Sequence, residues 1–439
     1  GQNHRRTWFM GQKKTIQAVA SYGGSVRKKI LIKGPLLTRS GYGEQSRFAL
    51  RSVRSREDLF DIYIQPLQWG QTSWMSSMDE ERVWIDNTIE KTIAFAQQGG
   101  QFDMSLQITI PNEFQKLAPI NVGYTAGIET TKIAHQWIQK CNEMDKIITI
   151  SSFSKQGFDA TEYEAVNQST GEKVILKTQT PVDFVNYPVK HFESLPELDL
   201  NLTTPFNFLV VAQFGPRKNL QNTIKWFVEE FRNDDVGLVV KSNIAKNCLM
   251  DRIQLFNDLK NFIAQLGEKQ CKVYLLHGDM TDEQMHSLYN HSKIDALVSL
   301  AHGEGFGLPI FEAAYSQLPV VATGWSGQLD FLVDKNGNDQ FYNVSFDLGH
   351  VQPEVVWDGV LIKESMWSFP RETSAKQQMR LCYEDIKNNV SRWDNSQITS
   401  RFEDSKQYKK FVDSILGFDS SLIEIQDSKT EEQEVLEFE

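Results

Sequence analysis

In the second half of the chain, apolar residues come in short unbroken runs separated by stretches with helical spacing. FNFLVVA (206–212), VGLVVK (236–241), CKVYLL (271–276) and IDALVSL (294–300) are such runs, and PVVAT closes the series. Runs of this length without alternation predict strands buried on both faces, as in a parallel sheet. Between the first two, NLQNTIKWFVEEF puts Leu220, Ile224, Phe227, Val228 and Phe231 on one helical stripe, with Asn219 as the expected N-cap. DRIQLFNDLKNFIAQLG predicts a helix closed by Gly267, DEQMHSLYNHS another, and a further helix starts near Ile310. This alternation predicts a doubly wound sheet, a fold that takes ligands beyond the carboxyl ends of its strands. The first half opens the same way. Ile30, Leu31 and Ile32 form a short strand that runs through Gly34-Pro35 into TRSGYGEQSRFAL, the strand, loop and helix of an α/β unit.

Length changes the picture from one domain to two. A chain of 439 residues exceeds a single typical core. The polar, proline-bearing SLPELDLNLTTP marks a boundary near 195–205. The expected organisation is α/β: two Rossmann-like domains with parallel sheets facing a cleft. Residues 1–25 are expected to be a leader or disordered arm, 26–200 and 201–370 the two domains, 371–420 helices packing back on the first domain, and 421–439 an acidic tail. No apolar run approaches 18 residues and the polar, basic start does not read as a secretory signal. Cys141, Cys248, Cys271 and Cys382 are widely spaced, which fits a reducing, cytoplasmic setting and no metal site. A net charge of −11 argues against broad binding to nucleic acid, though RSVRSR (51–56) is a local basic patch.

Two segments carry the candidate chemistry. FGPRKNL (214–220) leaves a predicted strand end and enters a helix, so free amides and the helix dipole join Arg217 and Lys218 in a place suited to an anion. The plainer reading is a solvated basic turn. HGEGFGLPIFEAAY (302–315) holds two acids, Glu304 and Glu312, around a second glycine-rich helix start, with Gly303, Gly305 and Gly307 free to approach closely or adopt positive φ and Pro309 in the first turn. Carboxylates beside a diphosphate repel it, so these two are expected to face neutral hydroxyls: Glu312 a ribose diol, Glu304 the hydroxyls of a sugar.

HGEGFGLPIFEAAYSQLPVVAT resembles the glutamate-pair motif of retaining GT-B glycosyltransferases, the mannosyltransferase-like and glycogen-synthase-like group. FGPRKNL resembles that group's donor-phosphate segment, and YLLHGDMTDEQMHSLYNHSKIDALVS the segment that holds the nucleobase, here around His277 and Gly278. SGYGEQSRFAL resembles its first glycine loop, and GYTAGIETTKIAHQWIQKCNEMDKIITISSFSKQGF its acceptor-domain stretch. The resemblance covers most of 30–390 and is stronger in the second half. It implies a nucleotide-sugar donor in the second domain, an acceptor in the first, and no metal or other cofactor. Arg217, Lys218 and Glu304 would be catalytic. Gly41, Gly43, Gly215, His277, Gly305, Phe306, Gly307, Leu308 and Glu312 would bind the donor. Relatives carry a histidine on the acceptor side where this chain reads NVGYTAGIET, which leaves Thr125 or Glu129 for that place.

The acceptor would be a glycan, a lipid-linked sugar or a similar hydroxyl compound. Trp69, Trp74 and Trp84 could stack on sugars or serve as core. Rival readings are transfer to a modified base in DNA, a same-fold nucleotide-sugar epimerase or phosphorylase, and a non-catalytic glycan-binding protein. A dinucleotide oxidoreductase is disfavoured because SGYGEQ lacks the third glycine at its usual offset.

Overall fold

The computed structural model describes residues 26–70 and 72–423. The leader predicted over 1–25 and nearly all of the acidic tail lie outside the described residues.

In chain order the first domain contains β1 (Lys28–Gly34), β2 (Phe60–Pro66), β3 (Met104–Ile108), β4 (Ile120–Tyr124), β5 (Lys146–Thr149), a hairpin of β6 (Glu162–Val166) and β7 (Lys173–Lys177), and β8 (Val182–Phe184). Six of these make a parallel sheet in the order β2-β1-β3-β4-β5-β8. Ile30 and Ile32 of β1 are fully buried, as a strand with a helix on each face requires. The Gly41–Arg54 helix that follows β1 starts where the Ser40 hydroxyl accepts the Gly43 amide at 2.9 Å.

The second domain repeats the plan with β9 (Phe206–Val211), β10 (Val236–Lys241), β11 (Lys272–Leu276), β12 (Ala296–Ser299), β13 (Val320–Thr323) and β14 (Tyr342–Val344), in the order β11-β10-β9-β12-β13-β14. An antiparallel pair, β15 (Phe346–His350) and β16 (Met366–Pro370), follows. The strand order reverses between β9 and β12, where a ligand crevice opens in such sheets. Asn219 stands at the N-cap of the Leu220–Glu230 helix but does not cap it with its side chain. Its backbone is left-handed, at φ 55°, and its Nδ2 donates to the Leu300 carbonyl at 3.0 Å.

The domains share one continuous core. Tyr187, Phe306, Phe311, Phe402 and Phe411 connect the buried residues of the first sheet to those of the second. The C-terminal helices divide. Glu372–Lys387 packs on the Leu220–Glu230 helix of the second domain, whereas Asp404–Leu416 packs on Gly41–Arg54 of the first. Across the boundary Asp330 accepts from the Ser152 amide at 2.9 Å and from Asn186 Nδ2 at 2.8 Å. The Thr131 amide donates to the Met366 carbonyl at 2.8 Å, and Met366 donates back to Thr131 Oγ1 at 3.0 Å. Among the described residues no helix is long and apolar enough to cross a membrane.

Candidate active site

A cleft of about 790 Å³ runs between the carboxyl ends of the two sheets. The first domain supplies the loops after β1 and β2, including Arg39, Gly41 and Trp69. The second supplies Gln213 after β9, Lys241 at the end of β10, Gly278 after β11, and the start of the Leu308–Tyr315 helix with Leu308 and Glu312. A smaller chamber of about 340 Å³ adjoins it and shares Glu44, Lys190, Asp282 and Glu312.

The two segments singled out in the sequence meet in space. Pro216–Lys218 is a 3-10 turn beyond β9. It is stitched to the loop after β12, because His302 donates its amide to the Arg217 carbonyl at 2.9 Å and Arg217 Nη1 donates to the Gly303 carbonyl at 2.9 Å. Glu304 is 6% exposed and stands between the cations. It takes Arg217 at 3.0 Å and Lys218 at 2.5 Å. The sequence reading sets Glu304 against neutral hydroxyls; in the structure it pairs with the two cations expected to hold phosphate. Burial works against ionisation of Glu304, yet Lys218 and Arg217 outweigh it and hold the carboxyl below its usual range. Burial likewise opposes the charge on Arg217, and Glu129 and Glu304 more than restore it. Lys218 is lowered, by burial first and by Arg217 next.

Glu129 reaches this cluster from the other domain, with a carboxylate oxygen 3.8 Å from Arg217 Nε. The glycines divide their work. A Cβ on Gly303 would lie 2.4 Å from the Glu129 carbonyl, and one on Gly305 3.0 Å from Ile150 Cδ1, so both allow the domains to approach. Gly307 alone of the three has positive φ, 92°, and precedes the helix bearing Glu312. Glu312 faces the cleft. Burial first, then Asp282 and Glu44, push its carboxyl up to about 7, against the pull of Lys190 and Tyr289.

Other expected contacts are placed differently. The His277 ring is turned inward, its side chain 2% exposed and its Nε2 2.8 Å from Asp251. Asp251 in turn accepts the amides of Ile244, Ala245 and Lys246, so His277 braces a loop, and the neighbouring Gly278 is what lines the cleft. The Phe306 side chain is core, packed on Tyr187, Phe311 and Phe331. Gly43 makes room for protein, since a Cβ there would lie 2.1 Å from the Thr38 carbonyl, while Gly41 and Gly215 face open space. Thr125 is fully buried and paired with the Tyr42 hydroxyl at 3.2 Å, so on the acceptor side Glu129, half-buried, is the more accessible of the two. The RSVRSR arginines are engaged: Arg51 by Glu81 at 2.7 Å, Arg54 over the Trp84 ring at 4.1 Å, and Arg56 by Asp58 at 2.8 Å. Lys190 carries no motif, and although Glu44 and Asp282 lie in motif segments, no spacing in the sequence brings the three together.

Two parallel-sheet domains around a cleft lined by their strand ends are the GT-B architecture. The structure superposes on HepE of Anabaena, solved in complex with UDP and glucose, with TM-score 0.53 and 13% identity, covering 89% of this chain and 100% of that one. It superposes on sucrose-phosphate synthase of Thermosynechococcus elongatus with TM-score 0.56 and 10% identity, covering 88% and 98%. Residues 197–341 match the family described as glycosyl transferases group 1. A stretch of 118 residues, 26% of the chain, is 30% identical to the serotype-specific mannosyltransferase WbdA of Escherichia coli, and it spans 13% of that protein's length.

Proposed function

We propose that the protein transfers a sugar from a nucleotide-sugar donor to a hydroxyl acceptor with retention at the anomeric carbon and without a metal ion. The single observation that carries this reading is the meeting of Arg217 and Lys218 with Glu304 beside a cleft into which the helix start bearing Glu312 opens. In this reading the donor diphosphate displaces Glu304 from the two cations, and the freed carboxylate turns to hydroxyls of the transferred sugar. Glu312 takes the ribose diol. As the bond from the anomeric carbon to phosphate breaks, Arg217, Lys218 and the helix amides stabilise the charge gathering on the leaving oxygen. The acceptor hydroxyl forms the new bond on the same face and passes its proton to that leaving phosphate. Contacts such as Glu129 to Arg217 and Thr131 to Met366 support a closed arrangement that excludes water from the reacting centre. Trp69, half-exposed in the cleft and stacked on Tyr42 at 4.2 Å, favours a glycan acceptor over a DNA base, since the basic patch is already neutralised.

The test is a thermal-shift panel of UDP-, GDP- and ADP-sugars, followed by NMR of the product formed from the sugar that binds. A rise in melting point with one donor and a product of unchanged anomeric configuration, formed equally well with EDTA, is the expected result. An isomerised sugar without transfer would establish the epimerase reading instead.

A further inference from the structure

Lys190 lies in the segment that carries the chain from β8, ending at Phe184, to β9, starting at Phe206. Its ammonium group is 2.8 Å from Glu44 Oε1 on the Gly41–Arg54 helix of the first domain. It is also 3.0 Å from Asp282 Oδ2, at the start of the Asp282–Tyr289 helix of the second. Glu312 faces the same chamber from a third helix. Two carboxylates, one from each domain, thus meet one largely buried ammonium, whose side chain is 18% exposed, and Glu312 lines the same chamber. Withdrawing that ammonium would leave Glu44 to Arg47 and Arg51 but would remove the cation shared with Asp282 beside Glu312, which makes ionisation of the acids left in the chamber harder.

We infer that Lys190 is a positioning residue for donor recognition: from the interdomain segment it favours the ionised form of the Glu312 carboxylate that faces the cleft. This rests on the reading of Glu312 as the group that grips the donor ribose. Two other cations in the surroundings serve Glu44, Arg47 at 3.3 Å and Arg51 at 3.9 Å. Arg51 is engaged by Glu81 at 2.7 Å. His286 is kept neutral by burial and is bonded to the Tyr315 hydroxyl. Glu283 adds another acid to the chamber, and Tyr289 and Tyr315 flank Glu312 with neutral hydroxyls. The sign follows from burial first, then Asp282 and Glu44, which raise Glu312 to about 7, while Lys190 lowers it. A carboxylate that must be ionised to accept two hydroxyls gains ligand affinity as pH rises through its own value. Without Lys190 that rise moves to higher pH.

The 439-residue chain is titrated calorimetrically with UDP, GDP and ADP, each beside its 2′-deoxy form, from about pH 6 to pH 8. The wild type is expected to bind at least one ribonucleotide with affinity rising through neutrality and to prefer it to the deoxy form. In Lys190→Met the rise moves up by about one pH unit, so affinity near neutral pH falls about five- to tenfold and the preference for ribose shrinks. Lys190→Arg restores both. Glu44→Gln, which removes an acid from the same group, shifts the rise the opposite way and keeps the test decisive if Lys190→Met folds poorly. A uniform loss of affinity with an unshifted pH profile in Lys190→Met, or a Glu44→Gln shift of the same sign, overturns the inference and leaves the donor site standing. A wild type that binds none of the three diphosphates at any pH sinks the donor reading itself, and the role of Lys190 with it.

Discussion

The carboxylate of Glu304 occupies both Arg217 and Lys218, and under the proposed function a diphosphate has to displace it. A buried ion pair broken at one partner leaves an uncompensated charge, so the exchange is favourable only if the incoming ligand is itself an anion of the right shape. Lys218→Ala is expected to lower kcat/KM by the equivalent of about 2–4 kcal/mol, the range for losing one preorganised electrostatic donor, with the melting point little changed because Arg217 still pairs Glu304. Near-normal turnover in that variant would refute the phosphate role. The types and order of these residues were legible in the sequence. Their partners were not, because Lys218 meets an acid 86 positions away and nothing local predicts that a carboxylate will turn to a cation and not to the cleft. His277 and Phe306 illustrate the same gap: a motif position fixes where the backbone runs, while burial decides where the ring points.

At the scale of elements, the second domain could be read almost strand by strand because its strands are unbroken apolar runs. In the first domain the pattern is masked by buried polar pairs. Ser105 and Gln107 on β3 and Asn121 on β4 are 0–3% exposed yet bond one another, Ser105 Oγ to Asn121 at 2.7 Å and Gln107 Nε2 to Ser105 at 2.9 Å. Satisfied in this way they are tolerated inside, but they erase the apolar signal. The loop after β12 is the element most exposed to a single change. Gly303→Ala drives a methyl group into the backbone of Glu129 across the domain boundary, and backbone cannot step aside as a side chain can. The expected loss is about 1–3 kcal/mol of stability with a disproportionate fall in transfer. Gly41→Ala, which meets nothing within 4 Å, is the matched control and should melt like the wild type. Equal melting points for both alanine variants would contradict this account of the interdomain contact.

At the scale of the whole molecule, the first domain depends on a helix that belongs to it in space but not in sequence. Phe411, fully buried, lies 5.5 Å from the Phe48 ring and 4.8 Å from that of Tyr124, between the Gly41–Arg54 helix and β4. Phe411→Ala is expected to cost about 3–5 kcal/mol, and because the core is continuous across both domains the loss should appear in a single cooperative transition. Two separated transitions, with the second domain melting as in the wild type, would show that the shared core is not energetically shared.

That borrowed helix also sets a timetable. While the polypeptide leaves the ribosome, the amino-terminal sheet can pair its strands early, yet a gap stays open in its aromatic interior until the residues around 411 emerge. The half of the molecule made first is therefore finished last, and nascent chains halted before that point should display a sticky, unfilled surface that chaperones would recognise.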